Sequence, residues 1–392
     1  MPRLTEAGIE RFSGIARSYV EDATVPGMVT GLAAGDDVHV DVLGAMSIDG
    51  APMRRDTLFR IASISKPITA VTLLLLVQEG LLSLDEPVDR LLPELAGRRV
   101  LRRIDGPLED TVPAERPATV REMLTFTSGF GGDLRMYAAA AEGHPWPIHT
   151  AMTSVPLYTL GVPDLQKQPD PDEWMRLLGE LPLLGQPGSV WLYNTGAAVA
   201  GVLCARAAGN PLIEVMRTRL FEPLGMSETT FWTPETDRVP TQYRPVDGAL
   251  ELFDPPDGMW SGPPAFGDGS AGLVTTIDDV LAFARMMARG GAPLLESTLW
   301  AEATRSHLPD ELYRPNVDDF LHGRRWGYCM SVIPDGPQAG AFGWFGGLGL
   351  SWLSERSRDL SVVVLTQRLF DGAHATPRWH LELQEAAFAA VS

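Results

Sequence analysis

The sequence predicts an α+β fold. One antiparallel sheet is built from both chain ends, helices cover its faces, and a mainly helical unit is inserted between the two halves. Three observations carry this expectation: strand-like runs lie near both termini, a helical pattern closes each end, and helical patterns dominate the middle of the 392 residues. On this reading, residues 1–82 and 266–392 form the α/β part and residues 83–265 the inserted helical domain.

Residues 4–22 set Ile9, Phe12, Ile15, Ala16 and Tyr19 on one face of an amphipathic helix. Val25 to Ala33 and Val38 to Ser47 read as strands, joined by a turn at Gly35-Asp36-Asp37. A partly apolar lead-in, Asp56-Thr57-Leu58-Phe59-Arg60-Ile61-Ala62, is followed by Ile68 to Val77, apolar nearly all round. That pattern predicts a helix buried on most sides and capped near Gly80. Asp85 to Leu95 starts a short, proline-punctuated helix, and residues 97–118, rich in Arg, Pro and acidic side chains, read as a surface loop. Thr119-Val120-Arg121-Glu122 has the form of a capping box. Residues 130–169 carry Gly, Pro, Trp and Tyr without periodicity and read as an irregular lid or binding rim.

Helices are expected over Pro171 to Leu181, over residues 196–208 with Gly209 as the stop, and over Pro211 to Leu220. Residues 232–268 read as loop. Thr276-Ile277-Asp278-Asp279 signals a helix running to Arg289. Strand-like runs follow at Trp326 to Ile333, Ala341 to Phe345, Leu348 to Leu353 and Leu360 to Thr366, then a C-terminal helix over 378–391.

Chemistry concentrates at Ser63-Ile64-Ser65-Lys66. The chain holds 32 Lys plus Arg, of which only Lys66 and Lys167 are lysine. Arginine stays protonated in proteins, whereas a desolvated lysine can lose its proton and serve as a base. At the start of a helix, residues three apart share a face, so the Lys66 amine reaches the Ser63 hydroxyl. The helix N-terminus and burial both favour the neutral amine, and a serine needs such a base to become a nucleophile. Ser65 is the second hydroxyl of the motif.

Composition narrows the partners. A formal net charge of −18 and no basic run argue against nucleic acid and anionic membrane surfaces. The longest apolar run, residues 73–77, is too short to span a membrane. Two cysteines, Cys204 and Cys329, make no disulfide scaffold, and with no apolar signal core after Met1 the cytoplasm is the expected location. The seven histidines, His144 and His149 among them, show no metal-ligand spacing, so neither metal nor cofactor is expected. Asp36-Asp37 and Asp278-Asp279 read as turn and helix-start residues.

These motifs resemble the serine β-lactamase and penicillin-recognising superfamily, within it the class C-like serine hydrolases and family VIII carboxylesterases. Arg55 to Pro67 matches the family's lead-in and first motif. Leu124-Thr125-Phe126-Thr127-Ser128-Gly129 resembles its LLTHTSG signature, with Phe126 in place of His. Tyr193-Asn194-Thr195 falls at the second motif, with Thr195 where the lactamases often have Asn. Phe221-Glu222-Pro223-Leu224-Gly225-Met226 and Ser270-Ala271-Gly272-Leu273 are further landmarks, and Trp344-Phe345-Gly346-Gly347 resembles the Trp-Gly-Gly third motif of some esterases.

The resemblance implies a transpeptidase-like fold and an acyl-enzyme mechanism without a cofactor. Ser63 is the expected nucleophile, and Lys66 with Tyr193 the expected general base and acid. A tyrosine beside an ammonium has its anion favoured, so the two are expected to titrate as a pair. The oxyanion hole is expected from the backbone N–H groups of Ser63 and Gly347, or Leu348 if the register shifts by one. Trp344, Phe345, Gly346, Phe126 and Asn194 are expected to border the substrate. The third motif lacks the Lys or His that helps β-lactam enzymes hold a carboxylate, so a small-molecule carboxylic ester is the expected substrate. The alternatives are a β-lactamase or D-aminopeptidase-type amidase with Arg324 or Arg325 as carboxylate holder, an acyltransferase, and an inactive binding protein on the same fold.

Overall fold

The seven-stranded sheet owes its construction to a pairing between the two ends of the chain. In the computed structural model, which describes residues 2–157, 164–372 and 376–392, Gly27–Ala34 forms a hairpin with Asp37–Gly44. Gly35 turns that hairpin at a φ of +57°. The other edge of Gly27–Ala34 pairs with Leu360–Thr366, from Met28 opposite Thr366 to Ala34 opposite Leu360. Beyond it lie Leu350–Glu355, Phe342–Gly346, Ser331–Val332 and Arg325–Trp326, every neighbour antiparallel. The expected α+β sheet from both chain ends is therefore present.

Period-two alternation divides the core. Met28, Leu32, Val362 and Val364 face the terminal helices Glu6–Glu21 and Arg378–Ala389, which pack on each other and bury Phe12, Ala16 and Leu383. Val29, Ala33, Val363 and Leu365 face the opposite way, into a larger core shared with helix Ile277–Ala288 and the buried helix Ser65–Gln78. Ser331–Val332 covers only Phe342 and Gly343, so its neighbour's edge is left uncovered from Trp344 onward.

Several expected loops have structure of their own. Within 97–118, Arg99–Leu101 pairs with Thr111–Pro113. Within 232–268, Gln242–Val246 pairs with Ala249–Asp254 across Asp247-Gly248, both at positive φ, the Asp-Gly signature of a tight hairpin. Residues 130–157 contain helices Leu134–Ala141, capped by the Asp133 carboxylate, and Pro147–Ser154; residues 158–163 of the expected rim lie outside the described residues. The run Trp326 to Ile333 is broken in two by Cys329 at a φ of 57°. Helices Ser297–Ala303 and Pro315–Leu321 were not expected.

Candidate active site

Ser63 lies in a short 3-10 turn, Ala62–Ile64, that runs into helix Ser65–Gln78. The entry is held by strand Phe59–Arg60 pairing with Val274–Thr275, and by the Ile61 N–H donating to Leu273 O at 2.9 Å. Ala62 takes a φ of 44°, a left-handed conformation that strains a residue with a Cβ. Ser63 is half-buried while the helix behind it is buried almost throughout. Ser65 is fully buried and accepts a hydrogen bond from the Leu273 N–H, which leaves Ser63 as the accessible hydroxyl.

Lys66 has no exposed surface. Its Nζ lies 2.8 Å from Ser63 Oγ and donates to the Ser270 carbonyl at 2.8 Å. Burial pushes the amine down to about 7, against the upward pull of Asp268. Nζ sits 4.7 Å from the centre of the Tyr193 ring.

Tyr193 is anchored by its backbone, which exchanges hydrogen bonds with Gly132 in both directions at 2.8 and 3.0 Å. The approach requires Gly131, where a Cβ would stand 2.7 Å from Leu192 O and 2.8 Å from Tyr193 O. The Tyr193 hydroxyl accepts from the Trp344 indole N–H at 2.8 Å and lies close enough to the Ser63 side chain to be influenced by it. An indole N–H can only donate, so the phenol oxygen is the acceptor there and its own proton is free for Ser63. Burial holds the hydroxyl well above the ordinary tyrosine range. The anion expected to be favoured beside an ammonium is instead disfavoured by burial.

Strand Phe342–Gly346 packs against the Ala62–Ile64 turn. A Cβ at Gly346 would meet Ile61 O at 2.6 Å, so glycine permits the contact. Gly347 is exposed with open space around it, and its N–H makes no hydrogen bond among the described residues. Leu348 is fully buried, and its carbonyl accepts from Gln242 Nε2 at 2.7 Å.

Alternation along this strand separates the remaining candidates. Trp344 faces Tyr193, whereas Phe345 turns to the C-terminal helix, where its ring meets His380 and Phe370. Arg324 lies over that far face of Phe345 at 4.6 Å, and Arg325 over the Tyr313 ring at 4.2 Å. Phe126, expected to touch substrate, is fully buried; its ring stands edge-on behind Tyr193, 5.7 Å between centres. The Asn194 amide makes no hydrogen bond among the described residues, at a backbone φ of 79°. His149 packs against Tyr137, away from this cluster.

Sequence reasoning passed over much of the surround. Phe320 stands 4.9 Å from the Tyr193 ring, and Trp326 4.7 Å from Trp344, making an aromatic wall with Trp191. Asp268, Ser270 and Cys329 all face Lys66. The ten tryptophans were a compositional signal for such a wall, but no spacing in the sequence marks which of them meet. Among the described residues no group of three His, Cys, Asp or Glu side chains is placed to hold a metal ion, and no single helix is long and apolar enough to cross a membrane.

The chain is similar to known proteins along most of its length. A family model described as Beta-lactamase matches residues 12–387. Protein Rv1367c of Mycobacterium tuberculosis is 34% identical over 352 residues, covering 85% of this chain and 83% of the relative. Esterase EstB of Burkholderia gladioli is 32% identical over 351 residues, covering 82% and 80%. The solved structure of EstCE1, described as a hydrolase with promiscuous acyltransferase activity, superposes with a TM-score of 0.80 at 24% identity, covering 98% of this chain and 99% of that one.

Proposed function

Because the chain belongs to the beta-lactamase family, we propose that it cleaves carboxylic esters through an acyl-enzyme on Ser63. The observation that carries this reading is the 2.8 Å contact between Ser63 Oγ and an amine held near neutrality by burial. Neutral Lys66 accepts the Ser63 proton as the hydroxyl oxygen attacks the ester carbonyl. The developing oxyanion is received by the N–H groups of Ser63 and Gly347. Tyr193 gives its proton to the departing alkoxide and recovers one from the Lys66 ammonium. Water then attacks the acyl-enzyme by the same groups in reverse, releasing the acid and restoring Ser63.

The ester preference is supported by Trp344, an aromatic donor committed to Tyr193, standing where a cation would hold an anionic substrate. Similarity to an esterase points the same way. An alcohol replacing water in the second half-reaction would make the enzyme an acyltransferase, the side activity in the description of EstCE1. The proposed setting is the cytoplasm, with a small-molecule ester as partner.

A fluorophosphonate probe tests the reading directly. The wild type should be labelled at Ser63, and folded Ser63→Ala should resist labelling and lose on the order of 10⁴–10⁶ in kcat on p-nitrophenyl esters. Near-wild-type turnover in folded Ser63→Ala would sink the assignment, and an unlabelled wild type would favour the inactive binding protein.

A further inference from the structure

Lys66 faces a difficulty that its two hydrogen bonds do not resolve. A fully buried lysine with no opposing charge becomes so weak a base that it cannot take a serine proton. A carboxylate in direct contact would do the opposite and lock it as an ammonium. Here Nζ is held by a hydroxyl and a backbone carbonyl, and the negative charge is bound to the N–H of the same residue that supplies the carbonyl.

That charge is Asp268, 2% exposed. One carboxylate oxygen accepts from the Ser270 N–H at 2.7 Å, and the other from Gln168 Nε2 at 3.3 Å. Its backbone carbonyl accepts from the Gly272 N–H at 2.8 Å, closing the turn. Ser270 thus binds Asp268 through its N–H and Lys66 through its carbonyl. The groups facing Lys66 are Ser63 on its own turn, the Tyr193 ring, the Cys329 thiol and Asp268. Burial raises both the Cys329 thiol and the Tyr193 hydroxyl, which leaves both uncharged at neutral pH. Asp268 is therefore the charge to which the amine responds.

We infer that Asp268 is a positioning residue that keeps Lys66 basic enough to accept the Ser63 proton, its charge held next to the amine by Ser270, which binds the carboxylate through its N–H and the lysine through its carbonyl. Gln168 restrains the second carboxylate oxygen and keeps it from turning into direct contact with Nζ. The inference rests on the hydrolase reading for the source of the proton, but the coupling itself is measurable without a substrate.

Because the chain has only two lysines, protein labelled with ¹³C at lysine Cε gives two signals, and Lys66 can be titrated directly by NMR. In full-length Asp268→Asn the Lys66 midpoint should fall by about one pH unit while that of Lys167 stays in place. The pH dependence of fluorophosphonate labelling at Ser63 should move to lower pH by the same amount, with its plateau rate about 3- to 10-fold slower because the base is weaker. An Asp268→Asn protein with a lower Tm but unmoved midpoints would reduce Asp268 to a structural residue and overturn the inference. Should that variant not fold, Gln168→Leu substitutes for it: with a donor removed, the carboxylate charge is less dispersed and the Lys66 midpoint should rise. A fall or no change would overturn the inference equally. A wild type unlabelled at Ser63 defeats the hydrolase reading alone, whereas labelling with an unmoved Lys66 midpoint defeats the Asp268 coupling alone.

Discussion

At the scale of single residues, protons decide what this site does. Only neutral Lys66 can take the Ser63 proton, and its neutral fraction grows as pH rises through about 7. Esterase activity should therefore climb from acid to mildly alkaline pH with a midpoint near that value, read from kcat/KM profiles. Lys66→Arg keeps the charge and cannot give it up, so it should fail nearly as badly as Lys66→Ala; retention of a tenth of the activity would make Lys66 an electrostatic group rather than a base. Trp344 governs the direction of the Tyr193 proton. Trp344→Phe keeps the aromatic wall and removes only the N–H that the phenol oxygen accepts at 2.8 Å. The phenol can then rotate away from Ser63, and kcat should fall about 2- to 10-fold, the effect of losing an orienting neutral hydrogen bond worth about 0.5–1.5 kcal/mol, with little change in Tm. Unchanged kcat would mean that the ring contacts alone orient Tyr193.

At the scale of elements, the serine turn is positioned from both sides. On one side, strand Phe342–Gly346 closes against Ala62–Ile64 through a glycine. On the other, strand Phe59–Arg60 ties the lead-in to the 242–254 ribbon. The Arg60 guanidinium, 1% exposed, donates to the carbonyls of Pro240 and Pro255 at 2.7 and 2.6 Å and lies 2.8 Å from the buried Asp254 carboxylate. Nη1 and Nη2 each donate to a carbonyl, so Asp254 meets the guanidinium as a charge rather than as an aligned hydrogen-bond acceptor. Removing one member strands the other in the interior. Arg60→Leu should destabilise the fold by about 3–5 kcal/mol in urea titrations, and adding Asp254→Asn should recover part of the loss. A change under 1 kcal/mol would show that the ribbon is anchored elsewhere.

At the scale of the whole molecule, the proposed ester preference predicts that charge and shape work against anionic substrates. The net charge of −18 repels anions that come within about a Debye length of the surface. Close to Ser63, Tyr193 is surrounded by the aromatic rings of Trp344 and Phe320, and Arg324 is committed to the far face of the sheet. A missing charge-assisted contact worth about 1.5–3 kcal/mol corresponds to roughly a ten- to hundredfold loss in recognition. On p-nitrophenyl butyrate, kcat/KM should accordingly exceed that on nitrocefin by at least this factor. If nitrocefin is the equal or better substrate, an arginine must reach the carboxylate by a rearrangement of the site.

What the sequence determined by itself follows from short-range rules. Three-residue spacing brought Ser63 and Lys66 together because helical geometry is local, and alternation with terminal helices foretold the sheet and its α+β class. Asp247-Gly248 was legible in the same way, although the surrounding polar stretch masked it as loop. Tertiary structure alone decided the rest. Trp344 and Tyr193 lie 151 residues apart, and their hydrogen bond exists only because a strand edge and a helix-start loop converge. Asp268 reaches Lys66 by way of Ser270, 204 positions from the lysine. Burial itself, which lowers one proton affinity and raises the other, depends on the packing of distant segments. Phe126 shows the same dependence: its place in a motif marked it for the substrate, but the fold put three aromatic rings around it and none of its surface in the open. A local pattern specifies which groups are present, and the long-range packing specifies their solvation and therefore their chemistry.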